Sequence, residues 1–180
     1  YEKTIKIQPS NSSAYNNYAN VCKQLGEFTI AIKSYNKAIE LKPNHARAHH
    51  NLANTYNQLG EYSKATNSFK EAFKYQPTNL ESLYNWSELE GEILDLELRK
   101  KIIFIMKDEK IPKKDLAYGN FILSKYELNQ QNFEKEFQYL IKGHKNYFES
   151  KEYFFEKGIN YWLNDLPKMQ ELEKLNANNV

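Results

Sequence analysis

The feature that most restricts the fold is an internal repeat. QLGE at residues 24–27 recurs as QLGE at residues 58–61. At the same offset, further matched positions are Asn17 and Asn51, Ala19 and Ala53, Asn20 and Asn54, Phe28 and Tyr62, Ala31 and Ala65, Tyr35 and Phe69, Ala38 and Ala72, and Pro43 and Pro77. A period of about 34 residues indicates stacked helical hairpins, because one hairpin alone cannot bury its apolar face.

Each repeat unit carries two helix patterns separated by a turn. Apolar residues between 15 and 22 recur at i, i+3, i+4 and i+7, which is typical of one face of a helix. Gly26 then suits a left-handed cap at the end of that helix. A second apolar stripe covers residues 28–39, and Pro43 ends the helix because proline cannot continue it. We expect Asn44 to cap the next helix.

The repeat resembles the tetratricopeptide repeat (TPR) family. Full units cover residues 12–45 and 46–79, a partial unit covers 1–9, and the first helix of a third unit covers 80–90. The resemblance implies an all-α fold, a right-handed superhelix of antiparallel helical hairpins whose first helices line a concave surface. It also implies a scaffold that binds a protein or peptide partner in that groove.

Asparagines recur on the predicted first helices. Asn17, Asn51 and Asn85 are spaced by the repeat period, and Asn20 and Asn54 form a second row. Both rows lie off the apolar stripe, so we expect them on the concave surface. An asparagine amide offers two donors and an acceptor, and can therefore hold the backbone of an extended peptide. The predicted groove residues are Asn17, Asn51, Asn85, Asn20, Asn54, Asn16, Lys23, Arg47, His50 and Tyr84.

The two asparagine rows have two interpretations. They are similar to the asparagine ladder in the superhelix of O-linked N-acetylglucosamine transferases, which favours a binding role. The alternative is chance, because asparagine is abundant throughout this chain.

The histidines suggest neither a metal site nor catalysis. His45 and His49 are four residues apart, but no cysteine or carboxylate lies nearby to complete a tetrahedral zinc site. The repeat places His49 on the buried stripe, where we expect a ring nitrogen bonded within the protein. No nucleophile or orienting carboxylate accompanies His50, so we expect no catalytic residues and no cofactor.

After residue 90 the repeat degenerates while the helical pattern continues. We expect degenerate helical hairpins at residues 91–148 and a capping helix with a tail at 149–180. Residues 99–147 resemble the repeat region of bacterial TPR-containing sulfotransferases, with landmarks Phe121, Leu123, Ser124, Lys125, Phe133, Phe137 and Gly143. The resemblance implies the substrate-recruiting arm of a sulfotransferase, or of a glycosyltransferase, whose catalytic domain is absent from this chain. The chain has no Gly-rich phosphate-binding loop of its own.

The composition restricts the kinds of binding partner and the cellular compartment that we expect. A net charge of +2 is too small to indicate a nucleic-acid partner. A single cysteine forbids an intramolecular disulfide, so we expect a reducing, cytoplasmic compartment. No apolar run approaches the ~20 residues of a membrane span. Peptide binding is the favoured function; a recruiting arm of an enzyme and a self-assembly module that forms homo-oligomers remain the alternatives.

Overall fold

The computed structural model describes residues 2–90 and 94–160, with side chains described for residues 3–90 and 94–151. Within these ranges every regular element is an α-helix. The helices are α1 (Glu2–Ile7), α2 (Ser12–Gln24), α3 (Phe28–Leu41), α4 (Ala46–Gln58), α5 (Tyr62–Tyr75), α6 (Leu80–Leu89), α7 (Leu96–Ile105), α8 (Lys113–Asn129) and α9 (Phe133–Asn160). Helices α2 and α3, α4 and α5, and α8 and α9 pack as neighbouring pairs. The expected all-α solenoid of helical hairpins is confirmed.

The two QLGE segments form the same turn. Gly26 has φ +80° and Gly60 has φ +75°, a left-handed conformation that glycine adopts without a Cβ clash. The next amide closes each turn onto the preceding helix: Glu27 N–H donates to the Cys22 carbonyl at 2.9 Å, and Glu61 N–H to the Tyr56 carbonyl at 2.9 Å. These bonds satisfy carbonyls that the helix end would otherwise leave unpaired.

Small residues let the paired helices approach closely. Ala31 and Ala38 on α3, and Ala65 and Ala72 on α5, are fully buried. The aromatic Tyr35 fills the space between units, and its hydroxyl donates to Asn20 Oδ1 at 2.6 Å. Burial raises the pKa of Tyr35 to about 12, because the interior disfavours the phenolate.

The repeat period continues past the point where the sequence matches fade. The N-cap positions of α2, α4, α6 and α8 follow one another at nearly the same interval and hold Asn11, His45, Asn79 and Pro112; the first three accept a capping hydrogen bond, and Pro112 does not. By this interval, α6 begins a third unit and α8 begins a fourth. The expectation that Asn44 caps α4 is wrong: His45 does so, with Nδ1 3.4 Å from the Ala48 amide nitrogen.

A partly buried ion pair joins α7 to α8. Arg99 on α7 donates from Nη2 at 2.8 Å and from Nε at 3.0 Å to Glu127 Oε1 on α8. The Glu127 side chain is only 5% exposed. The hydrogen bonds to Glu127 raise the pKa of Arg99, which keeps the guanidinium charged.

Helix α9 differs from the expected C-terminal organisation. It runs without a break from Phe133 to Asn160, so the boundary expected at 148/149 falls inside one helix. The reason is local, because residues 144–157 contain neither proline nor glycine to end the helix. The expected capping of the array by residues 149–180 rests on side chains that, after residue 151, lie outside the described residues.

Candidate functional site

Side chains from α2, α4, α6 and the start of α8 surround a cleft of about 570 Å³. Four predicted groove residues lie together in it: Asn20, Arg47, His50 and Asn51. They come from two different repeat units, so the stacking of the first helices is what brings them together. The cleft is lined mainly by amides and charged groups, and it suits a polar ligand better than an apolar one.

One chain of amide hydrogen bonds links the first two units. Asn51 Nδ2 donates to Asn16 Oδ1 at 3.0 Å, and Asn16 Nδ2 donates to Asn17 Oδ1 at 3.2 Å. Asn16 is only 2% exposed. The prediction that Asn16 presents its side chain in the groove is therefore wrong. Its amide lies at the junction of α2 and α4, where it joins the helices to each other.

A second hydrogen-bonded chain links the next two units through His50. Asn85 Nδ2 donates to Asn54 Oδ1 at 3.4 Å, and Asn54 Nδ2 lies 2.8 Å from His50 Nε2. His50 Nδ1 lies 2.7 Å from Ser82 Oγ on α6. A neutral ring with its proton on Nδ1 satisfies both contacts, because Nε2 then accepts and Nδ1 donates. Burial lowers the pKa of His50, which favours this neutral form.

The amides keep part of their hydrogen-bonding capacity after these internal bonds. Among the described residues, Nδ2 of Asn17 and of Asn20 donates to no partner, and Oδ1 of Asn51 and of Asn85 accepts from none. All four side chains are partly exposed. Two donors on the first unit and two acceptors on the next units therefore remain able to bind a ligand.

The charges of the cleft are largely paired, with one exception. Lys114 Nζ lies 2.7 Å from Glu81 Oε2, and Tyr118 donates to Glu81 Oε1 at 3.2 Å. Asp115 accepts from the Leu80 amide at 2.9 Å, and burial raises the pKa of this carboxyl. Arg47 is exposed and forms no ion pair with any described residue. The positive charge of Arg47 is thus available to a ligand.

Sequence reasoning did not find the contribution of α8 to this cleft. Lys114 and Asp115 line it, together with Gln76 and Asn79 from the turn before α6. The sequence does contain a signal that α8 takes part. Lys114 follows Glu81 by the same interval that separates the N-cap residues of α6 and α8. Opposite charges one repeat apart on first helices indicate an ion pair across neighbouring units.

The remaining predicted groove residues do not line this cleft; they are Asn17, Asn54, Asn85, Lys23 and Tyr84. Tyr84 lines a separate apolar pocket of about 420 Å³ with Phe121, Leu140 and His144. Lys23 is partly exposed on α2, and its charge contributes to lowering the pKa of His50. The first helices therefore border two separate cavities, the polar cleft between α2 and α8 and an apolar pocket beside α9.

The two histidines with helical spacing serve local structure. His45 caps α4, and His49 Nε2 lies 2.9 Å from the Pro43 carbonyl oxygen, with its ring 5.6 Å from that of Tyr75. Across the described ranges, no group of three His, Cys, Asp or Glu side chains is arranged to hold a metal ion. The ring contacts of His45 and His49 are thus accounted for within the protein.

The hairpin stack defines the class of helical-repeat solenoids. Residues 1–33 and 46–79 match models described as tetratricopeptide repeat, and residues 19–60 match one described as TPR repeat. The matched models span residues 1–79. The resemblance of residues 99–147 to sulfotransferase repeats stays a prediction. No curated protein matches the chain at the level of sequence.

Several solved structures share the fold. A crystal structure of MamA is 14% identical with a TM-score of 0.58, covering 84% of this chain and 87% of that one. YrrB, described as a TPR protein with an unusual peptide-binding site, is 18% identical with a TM-score of 0.56, covering 99% and 97%. A tetratricopeptide repeat protein from Parabacteroides merdae ATCC 43184 is 19% identical with a TM-score of 0.52, covering 98% and 70%. These similarities confirm the TPR solenoid fold.

None of the helices within residues 2–90 and 94–160 is both long enough and apolar enough to cross a bilayer.

Proposed function

We propose that the polar cleft binds an extended, acidic segment of a partner protein. The TPR solenoid fold supports a protein-binding role in general. The similar structure of YrrB is described as having a peptide-binding site, which favours a peptide segment as the ligand. The observation that carries the proposal is that the remaining hydrogen-bonding groups of Asn20 and Asn51 meet the unpaired Arg47 in one cleft.

The spacing of the amides suits the backbone of an extended chain. First helices of adjacent units are separated by about 10 Å, the usual distance between packed helices. An extended peptide advances about 3.3 Å per residue, so one repeat corresponds to about three peptide residues. Asn17 would then donate to a peptide carbonyl, while Asn51 and Asn85 would accept from peptide N–H groups farther along. Backbone bonds of this kind tolerate many side chains in the ligand.

Charge supplies the selectivity that backbone bonds lack. Arg47 is exposed in the cleft, and Lys23 adds a second positive charge on α2. The carboxylate of Glu81 is already neutralised by Lys114 at 2.7 Å. We therefore expect a ligand with an aspartate or glutamate beside Arg47, since a guanidinium binds a carboxylate through paired hydrogen bonds.

Binding to an immobilised array of overlapping peptides with varied acidic content tests the proposal. We expect the chain to retain acidic peptides, and we expect added salt to weaken that binding because exposed charges are screened. Arg47→Glu should abolish retention. The matched control is Lys33→Glu, which reverses an exposed charge on a second helix and should leave binding unchanged.

The contribution of the amides is tested by combined Asn17, Asn51 and Asn85→Ala substitution, with Asn36 and Asn67→Ala on second helices as the control. Circular dichroism checks that each variant is folded. Retention of the same peptides by the triple variant and by Arg47→Glu would contradict the proposal. Arg47→Glu removes no internal hydrogen bond, so its result stands even if the triple variant unfolds.

A further inference from the structure

Helix α9 carries an apolar face that nothing in the described chain covers. Phe133, Phe137, Ile141 and Phe148 are 64%, 64%, 52% and 68% exposed. At about 100° of helix rotation per residue, these four positions fall within an arc of about 80°. The face lies beside the surface of α9 that packs on α8, where Gly143 is buried against Phe121. We call these four residues the α9 apolar face.

We propose that the α9 apolar face pairs with the same face of a second copy of this chain, with the two helices antiparallel. A two-fold axis near residues 140 and 141 places Phe133 opposite Phe148 of the second copy. It also directs Phe137 of the second copy toward the apolar pocket lined by Phe121, Leu140 and His144. The pairing is isologous, because each copy offers both halves of every contact.

Charges at the edge of the face decide the orientation. Glu134 and Lys145 lie on the same edge of α9, about three helical turns apart and roughly symmetric about the proposed axis. Their contacts within the helix are weak: Gln138 donates to Glu134 at 3.4 Å, and Lys145 lies 4.0 Å from Glu149. An antiparallel pair brings Glu134 beside Lys145 of the second copy, twice per dimer. A parallel pair would put the Glu134–Lys145 edges of the two copies on opposite sides of the interface and would form neither of these contacts.

The exposed area predicts a weak dimer. A buried aromatic side chain contributes on the order of 200 Å², so the exposed parts of these residues supply roughly 500 Å² per copy. The resulting total of roughly 1,000 Å² lies below the range of about 1,200–2,000 Å² typical of stable complexes. We therefore expect association that depends on concentration, with a dissociation constant in the micromolar range. The inference does not depend on the polar cleft.

Sedimentation velocity of the full chain at increasing concentration tests this interface. The average mass should rise from 21.3 kDa toward twice that value. Phe137→Glu should weaken association about thirtyfold or more, as expected for an aromatic at the centre of an interface. Lys142→Glu changes an exposed residue about 140° around α9 from the centre of the face and should leave association unchanged.

Charge reversal tests the antiparallel register. Glu134→Lys and Lys145→Glu should each weaken association, and the two together should restore it. Ile141→Cys, near the proposed axis, should form a disulfide-linked dimer under mild oxidation, while Lys142→Cys should not. The single native cysteine, Cys22, is buried and does not compete.

Three results would overturn the proposal. The first is a monomer at every concentration up to the solubility limit. The second is association that Phe137→Glu leaves intact. The third is a monomer whose melting temperature Phe137→Glu lowers by several degrees, which would show that a segment of the same chain covers the face. Circular dichroism of each variant separates loss of association from loss of folding.

Discussion

Replacing Asn16 by alanine tests whether the amide network joins the repeat units. Asn16 is buried between α2 and α4, accepts from Asn51 at 3.0 Å and donates to Asn17 at 3.2 Å. The substitution removes both bonds without changing a charge. It therefore isolates the contribution of amide contacts between neighbouring units to the free energy of unfolding.

The magnitude follows from two opposing effects. Each lost hydrogen bond costs about 1 kcal/mol net, so the two together cost about 2 kcal/mol. Alanine is a better helix former than asparagine, which returns about 0.5 kcal/mol. We expect a net loss of about 1.5 kcal/mol. Asn36→Ala, at an exposed site in the middle of α3, should show only the gain from helix propensity.

Urea denaturation followed by circular dichroism measures both variants. The difference between Asn16→Ala and Asn36→Ala should be about 2 kcal/mol, because helix propensity cancels in the comparison. In a thermal melt, this corresponds to about 4–8 °C for a chain of this size. A difference below about 0.5 kcal/mol, within the usual effect of surface substitutions, would show that the network does not stabilise the junction.

Three further outcomes follow from other contacts. The lowered pKa of His50 means that the unfolded chain binds a proton more readily, so the free energy of unfolding should fall as pH drops below the ordinary histidine pKa of about 6.5. Glu127→Ala removes the partner of the partly exposed Arg99 and should cost about 2 kcal/mol in urea denaturation. Gly143→Ala should cost about 1–2 kcal/mol, because the added Cβ would lie 2.5 Å from the Phe121 ring.

Each of these outcomes has its own control. His50→Gln should reduce the dependence of stability on pH between about pH 5 and 7, the range around an ordinary histidine pKa. An unchanged slope would exclude His50 as its source. Glu88→Ala breaks the more exposed ion pair with Lys125 and should cost less than about 1 kcal/mol. If Glu127→Ala cost no more than Glu88→Ala, burial of the Glu127 carboxylate would not strengthen its ion pair. Stability unaffected by Gly143→Ala would show that Phe121 moves freely.

Much of the fold could be predicted from local sequence patterns. The glycines of the two QLGE turns, the buried alanines and the prolines after the second helices predict where each helix of the first units begins and ends. They do so because capping, turns and amphipathic spacing depend on residues within about one helical turn. Family resemblance supplied the solenoid, and the structure confirms that fold.

The roles of individual asparagine side chains could not be predicted in the same way. Asn16 and Asn17 are adjacent in the sequence and both lie on α2, yet one is buried at a junction and the other is partly exposed. The difference arises because α4 packs against one of them. The extent of α9 was also misjudged, since an aromatic-rich stretch fits either a separate helix or the extension of an existing one.

The sequence by itself determined the repeat period, the turn chemistry and the placement of asparagines on first helices, because each depends on neighbouring residues. Tertiary structure alone decided which amides remain available and which charge is unpaired. Asn51 binds Asn16, and Lys114 binds Glu81, each from one repeat unit to the next. The stacking of the units decides these partners. A ligand can therefore bind only the hydrogen-bonding groups and charges that contacts between units leave unused.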